Sequence, residues 1–533
     1  MFTSMAVSIN PAIAVSLGLI ALVVFKLSQI GKRLPKMPPG PPTVPFLGNA
    51  HQIPADGFYK KMRDWADIYG RIFSLTVGPT KIVVLCDRQA VRDLIDAKST
   101  IYSDRPPDYV GGLLTGGDHT LLDDYNAVWR EKRKQMARWI SPRVIDEKHA
   151  PMQEAEIRCF LVGLLEDPEH FAEHIKRTTA SVASIITYGQ RAPTIDHPYA
   201  TQVFDIMQEW TEAMGPGANP PVDVYPIFKL IPTRFSSWKQ RAYRVNNKMD
   251  VIWSRTLKAV RERRARGDKR DCMADSVLEE AEKTPNYVLG EHAIQNLLGE
   301  TVEGGADTTT AQLLTFVLAM ATYPRVQEKA QALIDEKIGS GRSPQWTDFN
   351  ELPYINAIVK EGLRWRPVTS VGFAHRVRED DTYRDMLIPK DSTVFVGVWA
   401  LNHDPSHFEN ESEYWPERYE GFNKLADSYS GSGNYEGRDH YTYGAGRRIC
   451  PGIHLAERNQ WRNIAKILWG FKISLPRDPI TGKEIPIDVN AYKAGLAQSP
   501  LPYKVVFTPR SPEHVATMRR EWSEAQEILK KWE

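Results

Sequence analysis

Cysteine is scarce. Cys86, Cys159, Cys272 and Cys450 are the only four in 533 residues; they lie far apart and show no zinc-type pairing, so neither a disulfide framework nor a structural metal site is indicated. That fits a reducing compartment. An excess of charge is missing too, since 68 basic side chains against 66 acidic ones leave a formal net charge of +2. Neutralising a phosphate backbone needs a concentrated basic surface, so no nucleic-acid partner is expected. Internal repeats are absent. Long apolar runs are lacking as well, with one exception, Met5 to Phe25, which precedes the first charged side chain, Lys26. A helix needs roughly 20 such residues to span a bilayer. The run lacks the basic start of a cleaved signal peptide and exceeds the usual apolar length of one. Residues 1–26 are therefore expected to form a single-pass membrane anchor. Lys26, Lys32, Arg33 and Lys36 follow at once, which by the positive-inside rule leaves the bulk of the chain in the cytosol.

Residues 27–45 are basic and proline-rich, and Pro38-Pro39-Gly40-Pro41-Pro42 resists helix and favours a stiff, extended hinge. One large domain is expected over 46–510. Short β-rich runs such as Lys81-Ile82-Val83-Val84-Leu85 mix with helices early on, and Trp129 to Ile338 is largely helical by pattern. The fold class is mainly α with small β-sheets. Gly421 to His440, rich in Gly, Ser, Asp and Asn, reads as a surface loop. Beyond Pro512, the residues Val515, Met518, Trp522, Ala525, Ile528, Leu529 and Trp532 recur near helical spacing, so 511–533 is expected to be an amphipathic helical tail that docks on the domain or the membrane surface, plain packing being the preferred role.

Chemistry concentrates in Tyr443-Gly444-Ala445-Gly446-Arg447-Arg448-Ile449-Cys450-Pro451-Gly452. A thiolate needs positive charge or a helix N-terminus beside it, and the arginines and Pro451 at the start of a helical segment offer both. A cysteine taken at random is more often a small buried hydrophobe. Trp129 and Arg133 are four apart, so a helix brings an indole and a guanidinium to one side, where both can donate to a carboxylate. Glu361 and Arg364, three apart, can pair on a helix face, although such pairs are usually exposed and worth little. Thr301 to Thr309 carries Gly304-Gly305 inside a helical stretch, where two glycines permit a local opening. Asp307 and Thr308 follow, a carboxylate and a hydroxyl able to relay protons.

With these residues in this order, the chain resembles the cytochrome P450 family. Tyr443 to Gly452 is similar to its haem-binding signature, with tyrosine where phenylalanine is usual. Trp129 and Arg133 match its Trp-x-x-x-Arg, the Gly304 to Thr309 block its oxygen-activation motif, and Glu361 and Arg364 with Pro416-Glu417-Arg418-Tyr419 its structural Glu-x-x-Arg and Pro-Glu-Arg-Phe elements. Gly452 to Asn459 and Ala218-Asn219-Pro220-Pro221-Val222-Asp223 resemble a fungal subgroup that oxidises aromatic acids, cresol-like phenolics, polyketides and other specialised metabolites. The resemblance implies a cytochrome P450-like fold with an N-terminal transmembrane helix in the endoplasmic reticulum membrane. It implies haem b, with Cys450 as axial ligand of the iron and Trp129, Arg133, His375 and Arg448 on the propionates, Ala374 standing where a proline usually precedes the histidine. Asp307 and Thr308 would be the catalytic proton donors.

The implied activity is insertion of one atom of O2 into a lipophilic small molecule. Electrons would come from NADPH through a separate flavoprotein, NADPH-cytochrome P450 reductase, with cytochrome b5 as an optional second donor; no flavin or dinucleotide signature follows residue 460. Arg130, Lys132, Arg133, Lys134, Arg138, Arg447 and Arg458 are expected to face that reductase. The pocket would draw on Arg105 to Leu114, 205–245, the helix before Gly304, Thr369 to Phe373 and Gly495 to Ser499, mostly apolar segments. Two alternatives stay open: a haem-thiolate isomerase or dehydratase that does not use O2, against which Asp307-Thr308 counts, and a noncatalytic haem-binding protein.

Overall fold

The computed structural model describes residues 15–17, 19, 25, 29–215, 217–493, 495 and 497–533. The expected anchor over 1–26 lies almost wholly outside the described residues, and among those described no helix is long and apolar enough to cross a membrane. The proline run is fastened to the domain: the Ser74 amide donates to the Pro39 carbonyl at 2.7 Å, and the Asn49 side chain donates to the carbonyls of Pro41 and Pro42 at 3.2 and 3.0 Å.

Residues rich in β-branched side chains form β1 (Ile72–Val77) and β2 (Thr80–Leu85), an antiparallel hairpin turning at Gly78. Two short strands from much later in the chain complete this sheet, β3 (His375–Arg376) and β4 (Thr393–Val396), in the order β1-β2-β4-β3. The β2–β4 pair is parallel and the β3–β4 pair antiparallel. His375 is thereby carried to the sheet edge beside the helical half.

The helices that matter for the site are α1 (Ala127–Trp139), α2 (Ala150–Glu166), α3 (Phe171–Tyr188), α4 (Pro198–Met214), α5 (Ser237–Ala265), α6 (Glu291–Thr322), α7 (Pro353–Trp365), α8 (Ile453–Gly470) and α9 (Pro512–Lys530). The 32 residues of α6 make it about 48 Å long at 1.5 Å per residue. Its first half, through Leu297, Val302 and Ala306, packs with Ile185 of α3, Ile206 of α4 and Trp253 of α5. Its second half, Leu313 to Ala321, packs with Ile157 of α2, Ile358 of α7 and Ile464 of α8. A helix buried this way carries no amphipathic stripe. The polar block between the halves, Glu300 to Gln312, borders a cavity. The glycine pair does not open α6, which runs unbroken; packing on both sides outweighs the helix cost of roughly 1 kcal/mol per glycine.

On α7, Arg364 and Glu361 are both fully buried and paired through two bonds of 2.7 Å. The remaining Arg364 donors reach the carbonyls of Asn402, Glu411 and Glu413, and Arg418 adds a contact to Glu361 at 3.1 Å. The pair is thus a buried tie between α7 and the 402–418 segment, unlike the exposed pairs its spacing usually makes. At the C-terminus, Ala525 and Leu529 of α9 pack on Ala155 of α2 and Met518 is buried, whereas Ile528 is exposed.

Candidate active site

Glycine builds the cysteine loop. Gly446 takes φ 64° and approaches Ile95 so closely that an added Cβ would collide with that carbonyl oxygen. The Gly446 amide donates to Asp96 at 2.6 Å, and the Cys450 amide to the Tyr443 carbonyl at 2.8 Å. With Gly452 at its N-cap, α8 starts at Ile453, and the amides of both residues hydrogen-bond towards the Cys450 sulfur. Burial raises the thiol's pKa, while the two amides and the Arg133 guanidinium pull it down. The net direction is upward, so the protein alone keeps the thiol protonated and a coordinated metal would remove the proton. The Tyr443 hydroxyl is buried without a hydrogen-bond partner of good geometry.

All seven residues singled out from sequence, Trp129, Arg133, Asp307, Thr308, His375, Arg448 and Cys450, line one cavity of ≈ 350 Å³. Arg105, anticipated only as the edge of a pocket segment, joins Arg133 and Arg448 there. These guanidiniums spend their donors on backbone carbonyls: Arg105 on Leu121 at 2.8 Å, Arg133 on Ile449 at 2.7 Å, and Arg448 on Ser103 and Asp123 at 2.7 and 2.6 Å. Burial, then repulsion from Arg448 and Arg133, pushes Arg105 down to about 9. Such crowded, half-compensated cations fit two carboxylates such as haem propionates. Trp129 lies under Arg448, whose guanidinium sits 4.3 Å from the ring centroid.

His375 meets the Tyr102 carbonyl through Nδ1 at 2.7 Å, which places its ring proton on that nitrogen. Burial first, then Arg105 and Arg448, pushes its pKa down to about 3. As it stands the ring is neutral and Nε2 is an acceptor; it donates to a carboxylate only once protonated. An added Cβ on Gly304 would meet nothing within 4 Å, so α6 presents bare backbone to the cavity. The Thr308 hydroxyl donates to the Gly304 carbonyl at 2.6 Å. Burial raises the Asp307 pKa, opposed by Lys493 and Lys176. A sulfur ligand, a cationic rim and an open backbone face together fit haem b.

Each of the five expected pocket segments contributes at least one lining residue, such as Met207, Thr369 and Ala497. The sequence reading missed a polar wall, His119, Glu300 and Glu303. One signal was available for it: Glu300, Glu303 and Asp307 fall at i, i+3 and i+7, one face of an otherwise apolar helix. The basic run is less of a surface than its composition suggests. Lys132 is fully buried against Asp123 at 2.8 Å, Arg133 enters the cavity, and Arg458 pairs with Asp146 at 2.9 Å. Lys134 and Arg138 stay exposed but share Glu280.

A family model described as Cytochrome P450 matches residues 38–507. The chain is similar to a cytochrome P450 monooxygenase of Arthrobotrys oligospora, 40% identical over 540 residues that cover 99% of each chain. It is similar to the monooxygenase macC of Penicillium terrestre, 40% identical over 517 residues and 95% of each chain. The monooxygenase patI of Aspergillus clavatus is likewise 40% identical over 508 residues and 95% of each chain.

Proposed function

Because the chain belongs to the cytochrome P450 family, we propose that it inserts one oxygen atom from O2 into a lipophilic small molecule of fungal specialised metabolism. The protein is a monooxygenase, it uses haem b, and it takes electrons from a redox partner. The observation that carries the reading is one cavity lined at once by Cys450, by Arg105, Arg133 and Arg448, and by Asp307 and Thr308. When bound, haem b supplies O2 binding and O–O cleavage, favoured by a thiolate ligand.

The chain's residues supply the rest. Gly452 and Ile453 hold the sulfur through their amides. Arg105, Arg133, Arg448 and Trp129 bind and orient the propionates, and His375 does so in its protonated form. Asp307, set between the cavity and the lysines Lys176 and Lys493, carries protons inward. The Thr308 hydroxyl, now donated to Gly304, turns to deliver them. The apolar remainder of the cavity excludes water from that transfer.

The electron donor we assign is NADPH-cytochrome P450 reductase, with cytochrome b5 as a second donor. We place the enzyme at the endoplasmic reticulum membrane with an anchor over 1–26, a hinge over 27–45, the catalytic domain over 46–510 in the cytosol and a helical tail over 511–533. An exposed apolar surface supports the membrane part. Phe46, Leu47, Ile227, Leu230 and Phe235 are all exposed, and the Tyr225 hydroxyl ties the two segments by donating to the Phe46 carbonyl at 2.9 Å.

Deletion of the gene in its host tests the activity. A precursor should accumulate and a product one oxygen heavier, or two hydrogens lighter, should vanish; an unchanged extract under producing conditions counts against the reading. Thr308→Ala should lower product per NADPH consumed by roughly 10²-fold and divert electrons to hydrogen peroxide, with Thr308→Ser keeping most of the coupling. Undiminished coupling in Thr308→Ala would remove the hydroxyl from the relay.

A further inference from the structure

The polar wall has a geometry of its own. Glu303 is 4% exposed, and its Oε1 accepts from the Trp253 indole N–H at 2.8 Å. Trp253 reaches it across Gly299, where an added Cβ would lie 2.6 Å from the indole, so no larger residue lets the two meet. Burial above all, with repulsion from Glu300 and Asp307, pushes the Glu303 carboxyl up to about 8 against the Trp253 bond. At neutral pH it is a carboxylic acid. With Oε1 occupied by Trp253, the proton belongs on Oε2, which has no hydrogen-bond partner among the described residues.

Facing it is His119, whose ring stacks on Trp210 at 5.9 Å between centroids. Its Nδ1 lies between the Leu121 amide at 3.2 Å, which favours the ring proton on Nε2, and Glu300 Oε2 at 3.3 Å, which favours it on Nδ1; burial lowers the ring's pKa, opposed by Glu300. Nε2 stands 4.0 Å from Glu303 Oε2. That is too far for a direct hydrogen bond, but it suits two groups sharing one oxygen, which at ~2.8 Å from each would subtend about 90°. The Glu303 O–H and His119 Nε2 thus converge on one oxygen position, and a hydroxyl, which both accepts and donates, satisfies the pair whichever tautomer the ring takes.

We propose that Glu303 and His119 together grip a hydroxyl of the substrate, a small and otherwise apolar ring compound, and so determine specificity. This rests on the cavity being the substrate site of a monooxygenase. Ile140, Ala183, Ile186, Val368 and Phe373 line the same cavity and suit an apolar ring. Five residues separate Glu303 from Thr308, ~7.5 Å along α6, so a molecule held by its oxygen at one end presents a carbon one or two rings away at the level of Thr308. An analogue without the hydroxyl leaves two buried polar groups unpaired, which is how sites built around a hydroxyl reject isosteres lacking it.

The test uses the full-length haem-loaded enzyme in membranes, titrated with 2-naphthol and with naphthalene while the haem absorbance is followed. The wild type should bind 2-naphthol at least tenfold more tightly. Glu303→Leu and His119→Phe should bring the ratio near one by weakening 2-naphthol alone. Glu303→Gln, whose amide still donates, should keep part of the preference. A wild-type ratio near one, an unchanged ratio in Glu303→Leu, as when only water bridges the two groups, or equal weakening of both probes would overturn the proposal. The reduced enzyme's carbon monoxide spectrum and reductase-dependent O2 uptake separate the two levels: if both are normal and the ratio fails, only this inference falls, whereas their absence in the wild type removes the monooxygenase reading and this one with it.

Discussion

Replacing Arg364 by methionine should cost the protein most of its stability. All five guanidinium donors are used, two on Glu361 and three on the carbonyls of Asn402, Glu411 and Glu413, and the side chain is fully buried. Methionine fills most of the volume but leaves Glu361 charged and buried, with only the Trp415 amide and Arg418 for company. Breaking such a pair costs about 3–5 kcal/mol. Three carbonyls lose their donors as well, at roughly 1 kcal/mol each where the backbone cannot relax. Because these losses share one cluster they do not add fully, and a total of roughly 4–6 kcal/mol is expected. Against a typical net stability of about 5–15 kcal/mol, that leaves little. The assay is the fraction of expressed chain that carries haem, from its reduced carbon monoxide spectrum, with the urea midpoint of haem loss. Adding Glu361→Gln to Arg364→Met should recover part of the loss, since it removes a buried charge that Arg418 alone is left to offset. An Arg364→Met variant with wild-type haem content and midpoint would refute the reasoning, and so would a double variant worse than the single one.

Tyr443→Phe deletes a buried hydroxyl that lacks a good partner, so it should raise stability by about 1 kcal/mol, a gain of roughly 1–2 °C in the melting temperature of the holoenzyme; a fall would mean that the hydroxyl is satisfied in solution. Glu156 supplies a pH dependence. Burial alone would raise its carboxyl pKa, but Arg177 and Arg191 hold it below the usual 4.5, so the folded state binds fewer protons than the unfolded one. Its contribution is complete above the unfolded value and is lost as pH falls towards the lowered folded value. Glu156→Gln should therefore be weaker at neutral pH and should show a flatter acid limb in denaturation than the wild type; parallel limbs would contradict the assignment.

What the chain determined by itself is local. The Tyr443 to Gly452 loop is legible because every part of it lies within ten residues: a glycine able to take φ 64°, flanking arginines, a cysteine, and a proline before a helix. Trp129 with Arg133 is legible for the same reason, since four-residue spacing puts both on one helix side, and Asp307 with Thr308 because they are neighbours in the chain. The tail was legible through its 3.6-residue period, except that Ile528 turned outward. Tertiary structure decided what depends on partners far along the chain. Spacing allowed Glu361 and Arg364 to pair, but only the 402–418 segment packing over α7 buries them and turns a weak surface pair into a structural tie. Arg458 reads as surface charge until distant Asp146 claims it, and Lys132 until the fold buries it against Asp123, nine residues before it. Glu303 and His119 come from segments with no common motif, and they form a site only because Gly299 admits Trp253 and the packing of α6 turns that face towards the cavity. A sequence states which groups are available; burial and orientation, which set their protonation and their partners, arise only when separate elements close around the same space.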